Sequence, residues 1–294
     1  ADPALLLRRL HLDLVGMPPT VDEIEAFVAD PSDAHYESIV DRLLDDPRHA
    51  QRWARHWMDI WRYSDWWGLG AEVRNSQKHI RHWRDWIVDS LKQDLGYDRM
   101  ILLMLAGDEI APTDPDSLRA GGFLARQYFK FNRDTWLDET VEHTGKAFLG
   151  LTFNCSRCHD HKYDPFTSRE YASLRAFFEP YQVRTDIVPG TLDVEADGIP
   201  RPFDCHLDAP TYRYLRGDAK QPIVDDPIAP DFPAILRFVE PRIEPVSLPV
   251  EAYRPGVRPW VVDLHLARAR QRIEQAERKL AEAEQAVEAA RERE

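Results

Sequence analysis

The architecture of this chain is best read from Thr135-Trp-Leu-Asp-Glu-Thr-Val-Glu-His-Thr-Gly-Lys-Ala-Phe-Leu149, which is followed by Gly150 and then by Cys155-Ser-Arg-Cys-His159. The first part predicts a long helix. Gly150 offers a stop, because glycine readily takes the left-handed conformation that closes helices. The helix delivers the chain to a motif in which two cysteines and a histidine fall within five residues. The stretch therefore predicts a mainly α-helical protein that presents this motif at a helix end.

The C-x-x-C-H motif is the one that covalent haem attachment requires. Two thiols add across the two vinyl groups of one porphyrin, and the neighbouring imidazole reaches the iron from one face. The two intervening residues set the separation of the sulfurs. Cys155 and Cys158 are therefore expected to hold haem c, with His159 as the proximal iron ligand.

A structural zinc site is the main alternative for the same segment. Cys155, Cys158, His159 and His161 supply four donors of the kinds that zinc accepts. Zinc sites usually pair two ligand sets across a longer loop, whereas these four donors fall within seven residues. On this interpretation the domain is a binding or scaffolding module. A thioredoxin-like redox pair is a weaker alternative, because the surrounding sequence lacks a βαβ pattern.

The sequence leaves the second axial position of such a haem open. His56 is the first candidate, because it lies on the aromatic-rich segment Arg52-Trp-Ala-Arg-His-Trp-Met-Asp59, which would suit one wall of a haem pocket. His79 and His143 come next. The other candidates are His82, Met58 and Met104. An empty position would favour catalysis over simple electron transfer. The candidate catalytic groups in that case are His56, Arg62, Asp65 and His161.

Residue composition and hydrophobic pattern divide the chain into three parts. Residues 1–180 carry helical patterns and the motif, so they are expected to form a helical haem-binding domain. Residues 181–260 are rich in proline and alternate weakly, as in Thr211-Tyr-Arg-Tyr-Leu-Arg216, which predicts an irregular strand-and-loop appendage. Residues 261–294 predict a charged, coiled-coil-like helix that would pack against a partner helix and is expected to continue beyond residue 294. Its heptad-like apolar positions are Leu264, Ala267, Ile273, Ala276, Leu280 and Ala283.

Individual helices are predicted at several places in the first part. Thr20-Val-Asp-Glu23 is a capping box, so a helix is expected from there to about Ala29. The other predicted helices span about 36–44, 48–63, 79–95, 99–106 and 168–178, and residues 118–131 give no clear prediction.

Composition limits the classes of function. The 294 residues carry a net charge of -13, so a nucleic-acid partner is not expected. No run of about 18 apolar residues predicts a membrane span. Three cysteines do not make a disulfide framework, and Cys205 is expected to be a free thiol or a packing residue. A hydrolase built on the acidic residues is a further alternative, but their spacing offers no recognisable nucleophile or dyad. These residues are Asp59, Asp65, Asp108 and Glu109.

Several segments resemble the planctomycete cytochrome-like domain family, a family of exported proteins of unknown function that carry a C-x-x-C-H haem motif. The matching segments are Leu7-Arg-Arg-Leu-His-Leu-Asp-Leu-Val-Gly-Met-Pro-Pro-Thr20, Arg52 to Asp59 with Arg62-Tyr63 and Asp65, Trp83-Arg-Asp-Trp-Ile87, Leu105-Ala-Gly-Asp-Glu109, Phe148-Leu-Gly-Leu-Thr152, Cys155 to Pro165 and Thr211 to Asp218. The resemblance covers about residues 4–240. It implies a haem held by Cys155, Cys158 and His159. Recurring family positions without known roles are His56, Arg62, Asp65, Asp108, His161 and Asp164.

The resemblance also implies a setting. Family members are exported and multi-domain, often with another cytochrome-type domain beside this one, so a periplasmic or extracytoplasmic location is expected. The combined prediction is a c-type cytochrome domain of a larger redox protein. It would exchange electrons with a partner protein or an adjoining cytochrome domain, or act as a haem-dependent oxidoreductase. The family's activity is poorly defined, so the resemblance names no substrate.

Overall fold

A computed structural model describes residues 2–65 and 78–291 of the chain. The described part is mainly helical, as the sequence predicts. The helices are α1 Pro3–Leu14, α2 Val21–Ala29, α3 Asp33–Leu44, α4 Pro47–Ile60, α5 Arg81–Lys92, α6 Tyr97–Ile110, α7 Pro115–Leu118, α8 Gly122–Ala125, α9 Arg133–Thr144, α10 Ser168–Ala176, α11 Val250–Tyr253 and α12 Pro259–Arg291. No helix in these described ranges is long and apolar enough to cross a bilayer.

Two compact units make up the chain, one over Ala1–Thr185 with Ile199–Val246 and one over Asp186–Gly198 with Ser247–Glu294. The first unit contains two small sheets that lie outside the helical segments. Their strands are β1 Tyr181–Asp186, β2 Ile199–Asp204, β3 Thr211–Tyr214 and β4 Pro222–Ile228. β1 pairs with β2, and β3 pairs antiparallel with β4, with Thr211 opposite Ile228. Much of the proline-rich segment therefore groups with the helices of the first unit.

Helices α1–α3 form a separate small core at the amino-terminal end. The capping box at Thr20 is present in both directions: the Glu23 amide donates to the Thr20 hydroxyl, and the Thr20 amide donates to the Glu23 carboxylate at 2.8 Å. These bonds satisfy amide groups that the first turn of α2 would otherwise leave unpaired. Leu7, Phe27 and Leu43 are fully or almost fully buried between the three helices.

The largest core is built on tryptophans. Trp61, Trp83 and Trp136 are almost completely buried, and they pack with apolar residues of α5, α6, α8 and α9. Gly122 is required where α8 crosses Trp83, because a Cβ carbon at that position would lie 2.3 Å from the Trp83 Cβ. These three tryptophans therefore serve packing, because burial of their large apolar rings stabilises the fold.

The helix that leads to the motif ends earlier than the sequence predicts. α9 stops at Thr144, and Gly145–Leu149 continues as a wider π-helical turn before Gly150, whose φ of +65° provides the expected left-handed stop. The Phe153 ring packs directly over Gly145, where a Cβ would lie 2.5 Å from it. The returning chain therefore sits against the last turn, and the helix widens at the place of contact.

The second unit consists mainly of α12. A buried ion pair of 2.8 Å joins Arg258, just before this helix, to Asp186. Val261 in the first turn of α12 is buried, whereas four large apolar side chains further along recur every seven residues and are exposed: Leu266, Ile273, Leu280 and Val287. The predicted charged helix is therefore present, with its apolar stripe uncovered.

Candidate functional site

The C-x-x-C-H motif forms a single tight turn. Asn154–Arg157 is a 3-10 helix, and Cys158 follows it immediately. Cys155 lies within this turn and Cys158 directly after it, so about one turn of 3-10 helix separates the two cysteines. Both cysteines are exposed and neither is in a disulfide, whereas Ser156 between them is fully buried. The turn therefore offers two free, exposed thiols.

Glu142, near the end of α9, anchors the turn through hydrogen bonds to its backbone. Its buried carboxylate accepts hydrogen bonds from the amides of Phe153 and Asn154 at 2.9 and 2.8 Å. Lys146 balances the charge at 2.5 Å. The Phe153 ring packs on that of Phe166, with centroids 4.9 Å apart. A buried carboxylate that receives two backbone bonds and an ammonium group holds these atoms firmly, so the thiol-bearing turn starts from a fixed position.

His159 is held in an orientation that suits a metal ligand. Its Nδ1 lies 2.7 Å from the backbone carbonyl oxygen of Asp160. A carbonyl oxygen only accepts, so Nδ1 carries the proton and Nε2 of the neutral ring keeps its lone pair. Metal-binding histidines commonly have this second hydrogen bond, which fixes the tautomer. The side chain is exposed beside the two thiols in sequence.

His161 has the opposite arrangement. Its Nδ1 accepts a hydrogen bond from the backbone amide of Asp164 at 2.8 Å, so the neutral ring carries its proton on Nε2. The His161 amide itself donates to the Phe166 carbonyl at 2.7 Å. Asp160 is likewise a local structural group, since its carboxylate accepts from the amide of Ser168, the first residue of α10. These residues shape the loop, and the lone pair of His161 is already used.

A second segment packs against the motif from far along the chain. Gly217, with φ of +76°, lies so close to Cys158 that a Cβ built on it would be 2.2 Å from the Cys158 Sγ. Gly217 ends the turn Leu215–Gly217, between β3 and β4. The Leu-Arg-Gly-Asp segment, to which the family resemblance points, is thus part of the same site.

Beneath the turn lies a buried network of charges. Arg157, inside the motif, pairs with Asp138 of α9 at 2.9 Å, and Tyr171 donates to the same carboxylate at 2.7 Å. Arg175 of α10 donates to Asp134 at 2.7 Å and lies 3.6 Å from Asp138. Burial raises the pKa of Asp138 despite these partners. Burial also acts on Asp134, but hydrogen bonds from Tyr214 and Arg175 outweigh it and lower its pKa.

Two of the predicted polar residues meet in a different place. Arg62 donates to Nε2 of His143, and also to Gln127 and Glu139 at 3.2 Å each. Arg62 has φ of +60°, a conformation that L residues rarely adopt. Burial, together with the Arg62 charge, lowers the pKa of His143 to about 4. His143 is therefore neutral at pH 7, and its Nε2 lone pair faces the guanidinium.

The remaining candidate residues are spread over the helical core. His56 is exposed on α4, with its ring 5.5 Å from that of Trp53, and His79 is buried just before α5. Met104 is completely buried in the tryptophan core.

Other candidate residues already have partners. Asp65 accepts a hydrogen bond from Tyr63 and lies 3.6 Å from Arg84. Met58 packs against the tryptophan core, and Arg119 donates to the backbone carbonyl of His82. The distal ligand therefore stays a prediction.

A zinc site would use Cys155, Cys158, His159 and His161 of the same segment. Within residues 2–65 and 78–291, no three His, Cys, Asp or Glu side chains are grouped as a metal would require. His161 would also have to release the amide of Asp164 to bind through Nδ1. Zinc binding by Cys155, Cys158, His159 and His161 therefore stays an alternative prediction, and it would require His161 to give up its hydrogen bond from Asp164 if Nδ1 were the ligand.

Sequence reasoning identified the motif but missed the groups that hold it. Glu142 is one residue from the candidate His143, and only its burial reveals its role. Arg175 and Gly217 are distant from the motif in sequence. The Leu-Arg-Gly-Asp resemblance was the one signal that pointed toward Gly217.

The fold and the site define a mainly helical protein with an exposed C-x-x-C-H turn. The family model of PSCyt2, described as a protein of unknown function (DUF1549), matches residues 1–183. The chain belongs to this family. The match ends before β2, so the expected extension of the resemblance to about residue 240 lies outside it. No curated protein and no solved structure matches the chain.

Proposed function

We propose that this chain is a c-type cytochrome domain of an exported, multi-domain redox protein, with haem c held by Cys155, Cys158 and His159. The observation that carries the proposal is a pair of unbridged, exposed thiols, one in a 3-10 turn and one directly after it. They are followed at once by His159, whose Nδ1 faces a backbone carbonyl, so that its Nε2 keeps the lone pair. These are the donors that covalent haem attachment needs.

Each residue of the site would have a distinct task. The S–H groups of Cys155 and Cys158 would each add across one vinyl C=C bond of the porphyrin, without a leaving group. His159 would supply the proximal nitrogen, oriented by the Asp160 carbonyl. Glu142 and the buried Ser156 would keep the turn fixed while the cofactor is attached. When bound, haem c supplies a one-electron redox centre.

The setting follows from the same proposal. Haem c is attached outside the cytoplasm, so we place the domain in the periplasm or another extracytoplasmic compartment. Electrons would pass to or from a redox partner protein or an adjoining cytochrome domain. The exposed stripe of α12 would join a helix partner. His56 would be the first candidate for a distal ligand. If the distal position is open instead, the domain would act as a haem-dependent oxidoreductase, and the candidate catalytic groups are His56, Arg62, Asp65 and His161.

Attachment can be tested by exporting the chain from a host that has the c-haem maturation machinery. We expect a haem band that survives denaturing electrophoresis and a pyridine haemochrome spectrum typical of two thioether bonds. Cys155→Ala and Cys158→Ala should each shift the haemochrome toward one thioether, and the double variant should lose covalent haem. Cys205→Ala is the matched control, because it removes an exposed cysteine outside the motif.

Metal analysis of the same preparations separates the alternatives. One iron per chain supports the cytochrome proposal. One zinc per chain, without iron and lost in Cys155→Ala, would establish the zinc module instead. A protein purified under maturation conditions with neither metal and no Soret band would refute both.

A further inference from the structure

A cavity of about 660 Å³ lies within the first unit. Its volume is within the range of small-molecule sites, about 300–1,000 Å³. Most of the wall is apolar and comes from α6, α8, α10, β1 and the π turn after α9. The main apolar contributors are Leu105, Leu124, Phe148, Leu174, Phe177 and Tyr181.

One end of the cavity is acidic. Asp108 and Glu109, at the end of α6, line it together with Asp204 of β2. The backbone of Ala106 leaves helical geometry, with φ of -142°, immediately before this pair. Arg201 acts on Asp108 from β2 as the compensating cation. Three carboxyl groups therefore line this end, and the Arg201 charge acts on Asp108.

Burial and neighbouring carboxylates dominate the electrostatics of Asp108 and Asp204. Burial, followed by Asp204 and Glu109, raises the pKa of Asp108 to about 7. Burial and Glu109 raise the pKa of Asp204 to about 6, although Asp204 lies at the more exposed edge. An additional cation would relieve both effects, because an opposite charge favours ionised carboxylates.

A further polar atom is unpaired in the wall. The Thr144 hydroxyl is buried, and no hydrogen-bond partner is found for it among the described residues. Buried polar groups usually have a hydrogen-bond partner, and an unpaired one is destabilising. A ligand with a hydrogen-bonding group can satisfy it.

We infer that this cavity binds an organic cation, namely a primary amine with an aromatic or branched apolar body. The apolar wall accepts the body, and the ammonium group has Asp108, Glu109 and Asp204 as acceptors. Organic anions are disfavoured by the acidic end. This inference is independent of the haem proposal.

Binding of the amine is coupled to proton release. Near pH 7 part of the Asp108 population is protonated, and an ammonium group brought beside it lowers its pKa. A fraction of a proton then leaves as the amine binds. The heat of binding should therefore depend on the ionisation enthalpy of the buffer.

The test uses 2-(1-naphthyl)ethylamine and its neutral analogue 2-(1-naphthyl)ethanol as probes of the purified chain in titration calorimetry. We expect the amine to bind at least about tenfold more tightly than the alcohol, a difference of about 1.4 kcal/mol. Asp108→Asn should reduce this preference to less than about threefold. Asp98→Asn should preserve it, because Asp98 is exposed at the opposite end of the same helix.

Two further variants keep the result interpretable. Asp204→Asn tests the acidic end if Asp108→Asn folds poorly, and Leu105→Trp should weaken both probes by filling the apolar wall. Equal affinities for amine and alcohol would overturn the assignment of a cation. No binding of either probe at millimolar concentration to a folded protein would overturn the site itself.

Discussion

The Sγ atom of Cys158 lies directly against the backbone of Gly217, 59 positions later in the chain, leaving no room for a Cβ carbon on the glycine. The thiol of Cys158 is therefore positioned by the turn between β3 and β4, and not only by the 3-10 turn that precedes it. Any side chain at position 217 must displace either that turn or the thiol.

Gly217→Ala should therefore destabilise the protein and move Cys158. The left-handed φ of +76° and the 2.2 Å contact both oppose a methyl group, and crowding of this kind costs about 1–3 kcal/mol. Urea denaturation measures the loss. Gly190→Ala is the control, because Gly190 also has positive φ but has no atom within 4 Å of the added methyl group. Equal losses in the two variants would show that the contact with Cys158 has no cost.

Glu142→Gln should loosen the motif turn. The neutral amide weakens the two bonds from Phe153 and Asn154 and leaves Lys146 without its buried partner. We expect a loss of about 1–3 kcal/mol. Hydrogen exchange should quicken at the amides of Phe153 and Asn154. Glu139→Gln, on the same helix but half exposed, should leave these two amides protected. Unchanged exchange in Glu142→Gln would contradict the anchoring role.

Arg175→Leu should be among the most damaging single changes. Arg175 is 3 % exposed and lies within ion-pair distance of Asp134, Asp138 and Glu179. Its loss leaves buried carboxylates uncompensated, which costs about 3–5 kcal/mol. Arg169→Leu breaks an exposed pair with Asp226 and should cost less than about 1 kcal/mol. Thermal unfolding of both variants measures the two losses of stability. A similarly small loss for each variant would contradict a structural role for the charge network.

Stability should fall on acidification because of His143. Its pKa is lowered to about 4 in the folded protein, against 6.5 for an unperturbed histidine. The unfolded chain therefore binds more protons in this window, so stability is lost as the pH falls from about 6.5 toward 4. His143→Gln should remove about 1–2 kcal/mol of the difference between pH 7 and pH 5. His206→Gln, at an exposed histidine, should not. Urea midpoints that change equally with pH in all three proteins would exclude His143 as the cause.

The local features of the fold were predictable because they depend on neighbours in sequence. Thr20 and Glu23 face each other across one helical turn, so their capping box could be recognised from spacing alone. The stop at Gly150 depends only on glycine's freedom at positive φ. The end of α9 at Thr144 was not predictable, because the Phe153 ring packs on Gly145 only after the chain has turned back.

The site also has residues that the sequence could identify and contacts that only the tertiary structure decided. Cys155, Cys158 and His159 were identified from sequence, since two intervening residues fix the relation between the cysteines. The order of the distal candidates stays a prediction, because His56 is exposed on α4, His79 is buried before α5 and His143 pairs with Arg62. The pairing of Arg62 with His143 joins residues 81 positions apart, which no local pattern records.

The amino-acid sequence alone determined the helical class, the caps and the short motif, because each rests on the chemistry of residues within a few positions of one another. Tertiary structure alone decided that Glu142 holds the motif backbone, that Gly217 closes on Cys158 and that Asp108 meets Asp204 beside an apolar cavity. Such contacts depend on burial and on the return of distant segments, and those are set by packing of the whole unit.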